Sequence, residues 1–316
     1  MIHLYPVIKG TENYMGNNRQ HTFQLEWTAG TKDEGKLLRG FLQENSISRS
    51  ALTDIKFKGG RIEVNEAEVT VRYPVHAGDR IKLTFPPEQT SEGLLPQSIP
   101  LTIKYEDDYV IAAVKPPFMN TIPSREHPYG SLANALAGYY LEKGISATVH
   151  IVTRLDRDTS GLLLIAKHRH VHHLLSEQQK KGKVQRRYEA IVHGIVEADS
   201  GVIEAPIGRK QTSIIEREVR EDGQFASTEF FVISRLESRT HIRLQLRTGR
   251  THQIRVHMAY AGHPLCGDDL YGGSNEQIIR QALHCSQLSF THPITGEVIT
   301  LTEPIPQDMC NLLFKA

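Results

Sequence analysis

Apolar positions along the 316 residues change their spacing several times, and each change marks a predicted element. Leu37, Leu38, Phe41 and Leu42 recur at helical spacing, and residues 46–52 read as a turn into a second short helix. Period-two alternation then predicts strands at 61–65, 68–71 and 79–85, with Ala77-Gly78-Asp79 as a turn. A stretch rich in Pro, Glu, Ser and Gln follows. Beyond it, 110–117 is an apolar strand stopped by prolines, which cannot donate to a ladder. Residues 131–140 form a short helix candidate, 162–166 a wholly apolar strand, and 170–181 a helix ended by Gly182. Tyr188, Ala190 and Val192 share one face of a further strand, and 228–234 and 241–247 give two more. Thr248-Gly249 breaks the last of these, and Thr251 is the expected N-cap of a helix running to Ala261. Strands and helices alternate irregularly with hairpin-like steps. The pattern therefore predicts an α+β fold: a mixed, largely antiparallel sheet with flanking helices, preceded by a small α+β domain.

The expected organisation is a mobile tail at 1–20, with Met15 as a second candidate start, a small domain at 21–87, a linker at 88–100 and a large domain at 101–316. A content of 39% hydrophobic and 23% charged residues is that of a soluble globular chain, and no apolar run is long enough to cross a bilayer. Cys266, Cys285 and Cys310 are odd in number and contain no C-x-x-C pair, so neither a disulfide framework nor a cysteine zinc site is expected, and a reducing cytoplasm fits. The net charge of +1 conceals local excesses. Residues 154–189 hold nine basic and four acidic side chains, and 238–266 hold Arg239, Arg243, Arg247, Arg250 and Arg255 with no acid. Such stripes suit a polyanion, although either one alone is also compatible with a solvated surface.

The segment with the clearest chemistry is Arg154-Leu155-Asp156-Arg157-Asp158-Thr159-Ser160-Gly161, which runs straight into the apolar strand. Arg154 and Arg157 flank Asp156 and favour its ionised form, as an anionic nucleophile requires. Taken alone, the same residues also make an ordinary turn. His168 and His172 have the i, i+4 spacing of some zinc sites within a cluster that includes His170 and His173. No H-E-x-x-H pattern accompanies them, so no metal is expected, and a histidine-metal hydrolase is only the third reading. Neither a phosphate-binding P-loop nor a strand-linked G-x-G-x-x-G is present, and no cofactor is expected.

Three segments together resemble the signature of RNA pseudouridine synthases of the RluA type: 154–163, then Arg187-Tyr188-Glu189-Ala190, then Thr248-Gly249-Arg250-Thr251-His252-Gln253-Ile254-Arg255-Val256-His257. Gly262-His263-Pro264, Gly267-Asp268, Tyr271-Gly272, His284 and His292-Pro293 are similar to that family's C-terminal pattern. The N-terminal module resembles the small RNA-binding domain shared by a ribosomal small-subunit protein and tyrosyl-tRNA synthetases. One departure stands out, because members usually carry His directly before Arg-Leu-Asp, where this chain has Thr153.

The resemblance implies an isomerase that converts uridine to pseudouridine in ribosomal or transfer RNA, without a cofactor and as a monomer. It makes Asp156 the catalytic carboxylate, Tyr188 the residue that stacks on uracil, and Arg250 the partner of Asp156, with Arg255 as the second candidate for that pairing. Arg154 helps to extrude the target nucleotide, and Arg157, Arg247, His252, Gln253 and Arg255 join it in substrate binding. The competing reading is a non-catalytic RNA-binding or ribosome-assembly factor on the same fold, with Thr153 and the N-terminal module as its support.

Overall fold

The computed structural model describes residues 23–88 and 93–314. The expected tail at 1–20 and the alternative start at Met15 lie outside the described residues. Strands and helices appear in the order β1 (Gln24–Thr28), α1 (Leu38–Glu44), α2 (Arg49–Phe57), β2 (Arg61–Val64), β3 (Ala67–Glu68) and β4 (Arg80–Thr84) in the N-terminal part. They continue with β5 (Thr102–Glu106), β6 (Val110–Lys115), α3 (Leu132–Lys143), β7 (His150–Ile151), β8 (Ser160–Ala166), α4 (Arg169–Lys180), β9 (Gln185–His193) and β10 (Ser200–Glu204). The last group is β11 (Ile207–Arg209), β12 (Arg217–Val219), β13 (Ser227–Arg235), β14 (Arg239–Leu246), α5 (Gln253–Tyr260), β15 (Leu283–Thr291), β16 (Val298–Thr302) and α6 (Gln307–Phe314).

The N-terminal sheet has the order β1-β4-β2-β3 and shares a core of Leu38, Phe41, Leu42, Ile55, Ile81 and Leu83 with α1 and α2. The expected strand at 68–71 ends at Glu68. Beyond it the backbone crosses to α1, where the Tyr73 and Val71 carbonyls accept from the N–H groups of Leu38 (2.8 Å) and Arg39 (2.9 Å). The first N–H groups of a helix lack intrahelical partners, so the segment that alternates like a strand is used to cap α1 instead.

The large sheet has ten strands in the order β10-β13-β14-β9-β15-β8-β6-β5, with β16 beside β15 and β7 beside β8. Within it β8 and β15 pair parallel, and the other pairs are antiparallel. Every residue of β8 is buried. A central strand covered on both faces has no polar side to offer, which is why it reads as an uninterrupted apolar run. Val171 and Leu175 of α4 and Leu132 and Leu136 of α3 complete this core. Ser131 caps α3 by accepting from the Asn134 N–H, and Gly144 ends the helix in the left-handed region at φ 65°.

Part of the expected linker is packed against α3. Asn134 donates its side-chain amide to the Leu95 carbonyl (2.8 Å), and a Cβ on Gly138 would sit 2.1 Å from the Gln97 carbonyl oxygen. Glu88 accepts from the Arg169 N–H (2.5 Å), placing a carboxylate at the N-terminus of α4 where the helix dipole favours it. The histidines at the start of α4 pack against other rings. His168 stacks on Phe23 with ring centroids 4.2 Å apart, His170 packs on Phe85, and His172 faces His150. Burial pushes His168 and His170 each down to about 4, as expected of neutral rings in an apolar setting. Among the described residues no helix is long and apolar enough to cross a membrane.

Candidate active site

The turn between β7 and β8 is held from beneath by side chains far away in sequence. The Thr121 hydroxyl donates to the Leu155 carbonyl (2.8 Å) and accepts from the Leu155 N–H (3.2 Å). Lys115 donates to the Arg157 carbonyl (2.8 Å), Arg280 to the Asp158 carbonyl (3.2 Å), and the Gln281 amide to the Thr159 hydroxyl (3.1 Å). A turn sunk into a sheet must find partners for its backbone groups, and here cations and hydroxyls supply them. Lys115 is fully buried, and burial pushes its ammonium down to about 7. Gly161 has φ +116°, and a Cβ there would lie 2.4 Å from the Cys285 carbonyl oxygen, so only glycine allows β8 to start this close to β15. Thr153, in place of the family's usual histidine, accepts from the Leu164 N–H (2.9 Å) and is absent from the cavity wall. It ties the base of the turn to β8 and makes no contact with the space where a substrate would sit.

Above this turn opens a cavity of about 710 Å³, walled by residues 120–124, the turn itself, Arg186 and Tyr188 of β9, and residues 249–255. Asp156 is half-buried at its edge. Arg255 Nη1 lies 3.5 Å from Asp156 Oδ2, and His252 Nε2 lies 4.0 Å from the same oxygen. Arg255 is itself anchored by Asp268, a fully buried carboxylate that accepts from Nε and Nη2, each at 2.7 Å. Burial works against the guanidinium charge, but the hydrogen bond and field of Asp268 more than offset it and raise its pKa. The Tyr271 ring packs under the Arg255 guanidinium with 4.9 Å to the centroid, a cation–π contact that further fixes it.

Tyr271 also sets the protonation pattern of His252. The Arg217 backbone N–H points at the Tyr271 hydroxyl oxygen (3.0 Å) and can only donate, so that oxygen accepts. The phenol proton is then free to go to His252 Nδ1, 2.7 Å away. Burial holds His252 below the ordinary imidazole value, and its single remaining ring proton therefore sits on Nε2, facing Asp156. Asp156 is thus confronted by two N–H donors, one charged and one neutral. Tyr188 also lines the cavity but is almost fully buried, and burial pushes its phenol far above the usual range, so it is protonated at neutral pH.

Several residues expected at the site are placed differently. Helix α5 starts at Gln253 and not after Thr251, because His252 adopts the left-handed region at φ 57° and acts as N-cap. That turn directs Arg250 outward, where its Nε donates to the Phe225 carbonyl (3.0 Å). The expected pair between Arg250 and Asp156 is not formed, and Arg255, reaching back from the first turn of α5 under the hold of Asp268, makes it instead. Arg250, Arg154 and Arg157 line the cavity with exposed side chains. Arg247 is outside the cavity wall and pairs with Glu229 on the strand surface. Gln253 touches the cavity, but its amide is consumed internally: Nε2 donates to Ser227 O and Thr228 Oγ1, and Oε1 accepts from Arg250 N and Thr248 Oγ1. It staples the turn, leaving little with which to bind a substrate. Sequence reasoning passed over Arg186, Thr121, Lys115, Asp268 and Tyr271. Of these, Arg186 stood in the basic stripe and Asp268 and Tyr271 in the C-terminal motif, but nothing in their spacing showed what they would meet.

Residues 109–260 match a family model described as RNA pseudouridylate synthase. The chain is 53% identical over 276 residues to an uncharacterized RNA pseudouridine synthase of Bacillus subtilis, YjbO, covering 87% of this chain and 98% of that protein. It is 38% identical over 313 residues to ribosomal large subunit pseudouridine synthase D of Pseudomonas aeruginosa, covering 95% and 96% of the two chains. The fold is similar to that of human RNA pseudouridylate synthase domain containing 1, with a TM-score of 0.55 at 23% identity over 65% of this chain and 83% of that one. With such identity spread over nearly the whole of both sequences, this chain belongs to the RNA pseudouridine synthase family and is an isomerase of that class.

Proposed function

We propose that this enzyme isomerises uridine to pseudouridine in ribosomal RNA, with Asp156 as the nucleophile acting on a nucleotide extruded into the 710 Å³ cavity. The observation that carries the reading is a carboxylate at the edge of that cavity, faced by Arg255 and by the Nε2–H of His252, with Tyr188 lining the same cavity. The choice of ribosomal RNA rests on the name of the Pseudomonas aeruginosa relative, and transfer RNA is the alternative. The reading also takes the protein to be a cytoplasmic monomer whose N-terminal module, 21–87, adds an RNA contact.

The reaction breaks the N1–C1′ bond and joins C1′ to C5 of the same base, with the C5 proton lost and one proton gained at N1. No redox equivalent or phosphate energy is needed. The Asp156 carboxylate attacks either the anomeric carbon or the uracil ring, and Arg255 and His252 orient it. Tyr188 offers a ring face to stack on the base, and as a neutral phenol its hydroxyl serves as a hydrogen-bond donor. Extruding a stacked uridine costs a few kcal/mol, which contacts from Arg154, Arg157 and Arg186 at the rim help to offset.

The test is incubation of the purified protein with RNA from cells lacking its gene, followed by carbodiimide mapping of pseudouridine. New adducts should appear with the natural enzyme and be absent with Asp156→Asn. Full turnover by that variant would remove Asp156 from the role of nucleophile.

A further inference from the structure

Next to the catalytic cavity is a second one of about 370 Å³, lined by the β11–β12 hairpin, residues 222–224 and the turn before α5. Gly249, Arg250 and Thr251 belong to the walls of both. A chain molecule leaving the first cavity at this edge therefore enters the second. Three guanidinium groups, those of Arg209, Arg217 and Arg250, border this space. Among the described residues none of the three is engaged by a carboxylate. Arg217 Nη1 donates to the Ile215 and Glu216 carbonyls (both 3.0 Å), and Arg250 Nε to the Phe225 carbonyl. These bonds fix Arg217 and Arg250 while leaving most of their N–H donors free, and Arg209 reaches the same space from the exposed face of β11. The one acid in the wall, Asp222, is already neutralised by Arg220, which grips it through Nε and Nη2.

We propose that this cavity is a phosphodiester subsite, holding the RNA backbone beside the nucleotide that enters the catalytic cavity. The inference rests on the proposed function for its substrate and goes beyond it in naming Arg209 and Arg217 as the groups that grip the chain. Guanidiniums around a concave space match the paired oxygens of a phosphate better than ammonium groups do. Because the hairpin also donates the Arg217 N–H to Tyr271, it binds RNA with its side chains and holds the catalytic turn with its backbone.

The experiment compares the natural enzyme with Arg209→Gln, Arg209→Lys and the double variant Arg209→Gln/Arg217→Gln, using RNA from cells lacking the gene. The double variant should raise KM roughly tenfold and leave kcat within about twofold. The slope of log affinity against log salt should fall by about 0.7 for each single-strand phosphate that is no longer neutralised. Arg209 is exposed, so Arg209→Gln leaves the fold intact and must lower the slope by itself, and Arg209→Lys, which keeps the charge, should retain most of it. Unchanged KM and slope in Arg209→Gln would overturn the subsite. So would displacement of RNA by inorganic phosphate at constant ionic strength and low concentration, which would mark a site for free anions. If the natural enzyme formed no pseudouridine, the proposed function would fail, and the salt slopes would still decide whether the subsite exists.

Discussion

Replacing Arg255 by Leu tests the electrostatic heart of the site and separates its structural share from its catalytic one. The side chain has two acidic neighbours: Asp268, fully buried and bound through both oxygens at 2.7 Å, and Asp156, half-buried at 3.5 Å. Removing the cation strands the Asp268 carboxylate without solvent, and breaking a buried pair from one side costs about 3–5 kcal/mol. Arg255→Leu should therefore lower the unfolding free energy by that amount in urea titrations. Replacing both partners by apolar residues of similar size removes the stranded charge, so Arg255→Leu/Asp268→Leu should recover most of the loss. Activity should not recover. Opposite charges about 4 Å apart at an effective dielectric of about 20 attract by about 4 kcal/mol. Losing only half of that in the transition state slows turnover about 30-fold, and both variants should show at least this defect in single-turnover assays. Equal destabilisation of the single and double variants, or near-normal turnover in the double, would refute the reasoning.

Tyr271→Phe removes the hydroxyl that fixes the His252 tautomer: ¹⁵N spectra of labelled histidine should show the proton leaving Nε2 for a mixture of tautomers, and turnover should drop about tenfold, a loss of about 1.4 kcal/mol. Gly161→Ala should destabilise the protein by several kcal/mol, read by thermal or urea unfolding, since its Cβ meets the β15 backbone in a left-handed conformation costing about 1–2 kcal/mol before any clash. Lys115 titrates at about 7 when folded and at about 10.4 when unfolded, so between these values the unfolded chain binds the extra proton and stability rises with pH. Below about 7 the penalty is constant, and it is relieved as pH climbs. Urea titrations at neutral and alkaline pH should show this slope in the natural protein and its loss in Lys115→Met, and identical slopes would mean that Lys115 remains charged when folded.

Much of the fold follows from local pattern. The apolar run of β8, the capped α3, the alternation of β14 and the glycine after α4 are decided by side-chain period and backbone preference within a few residues. Reading failed where a segment's partner lay elsewhere. Residues 69–71 alternate like a strand, yet after Val69 the pairing with β2 stops and the open Arg39 N–H of α1 takes the Val71 carbonyl. Thr251 has the chemistry of an N-cap, yet a left-handed His252 takes that position because the turn is tied to Tyr271 and to Gln253.

The sequence by itself marked Asp156, Tyr188 and a run of arginines and histidines through the resemblance of three segments to a known family's signature, since residue type and spacing alone are also met by an ordinary turn and a solvated surface. Tertiary structure alone decided which cation meets the carboxylate. Arg250 and Arg255 are the same residue type and only five residues apart, and local sequence gives no preference between them. The choice comes from Asp268 and Tyr271, whose carboxylate and ring hold one guanidinium in place, while the Phe225 carbonyl draws the other away. Charge selects the candidates at short range along the chain, and hydrogen bonds between distant segments select the one that meets the carboxylate.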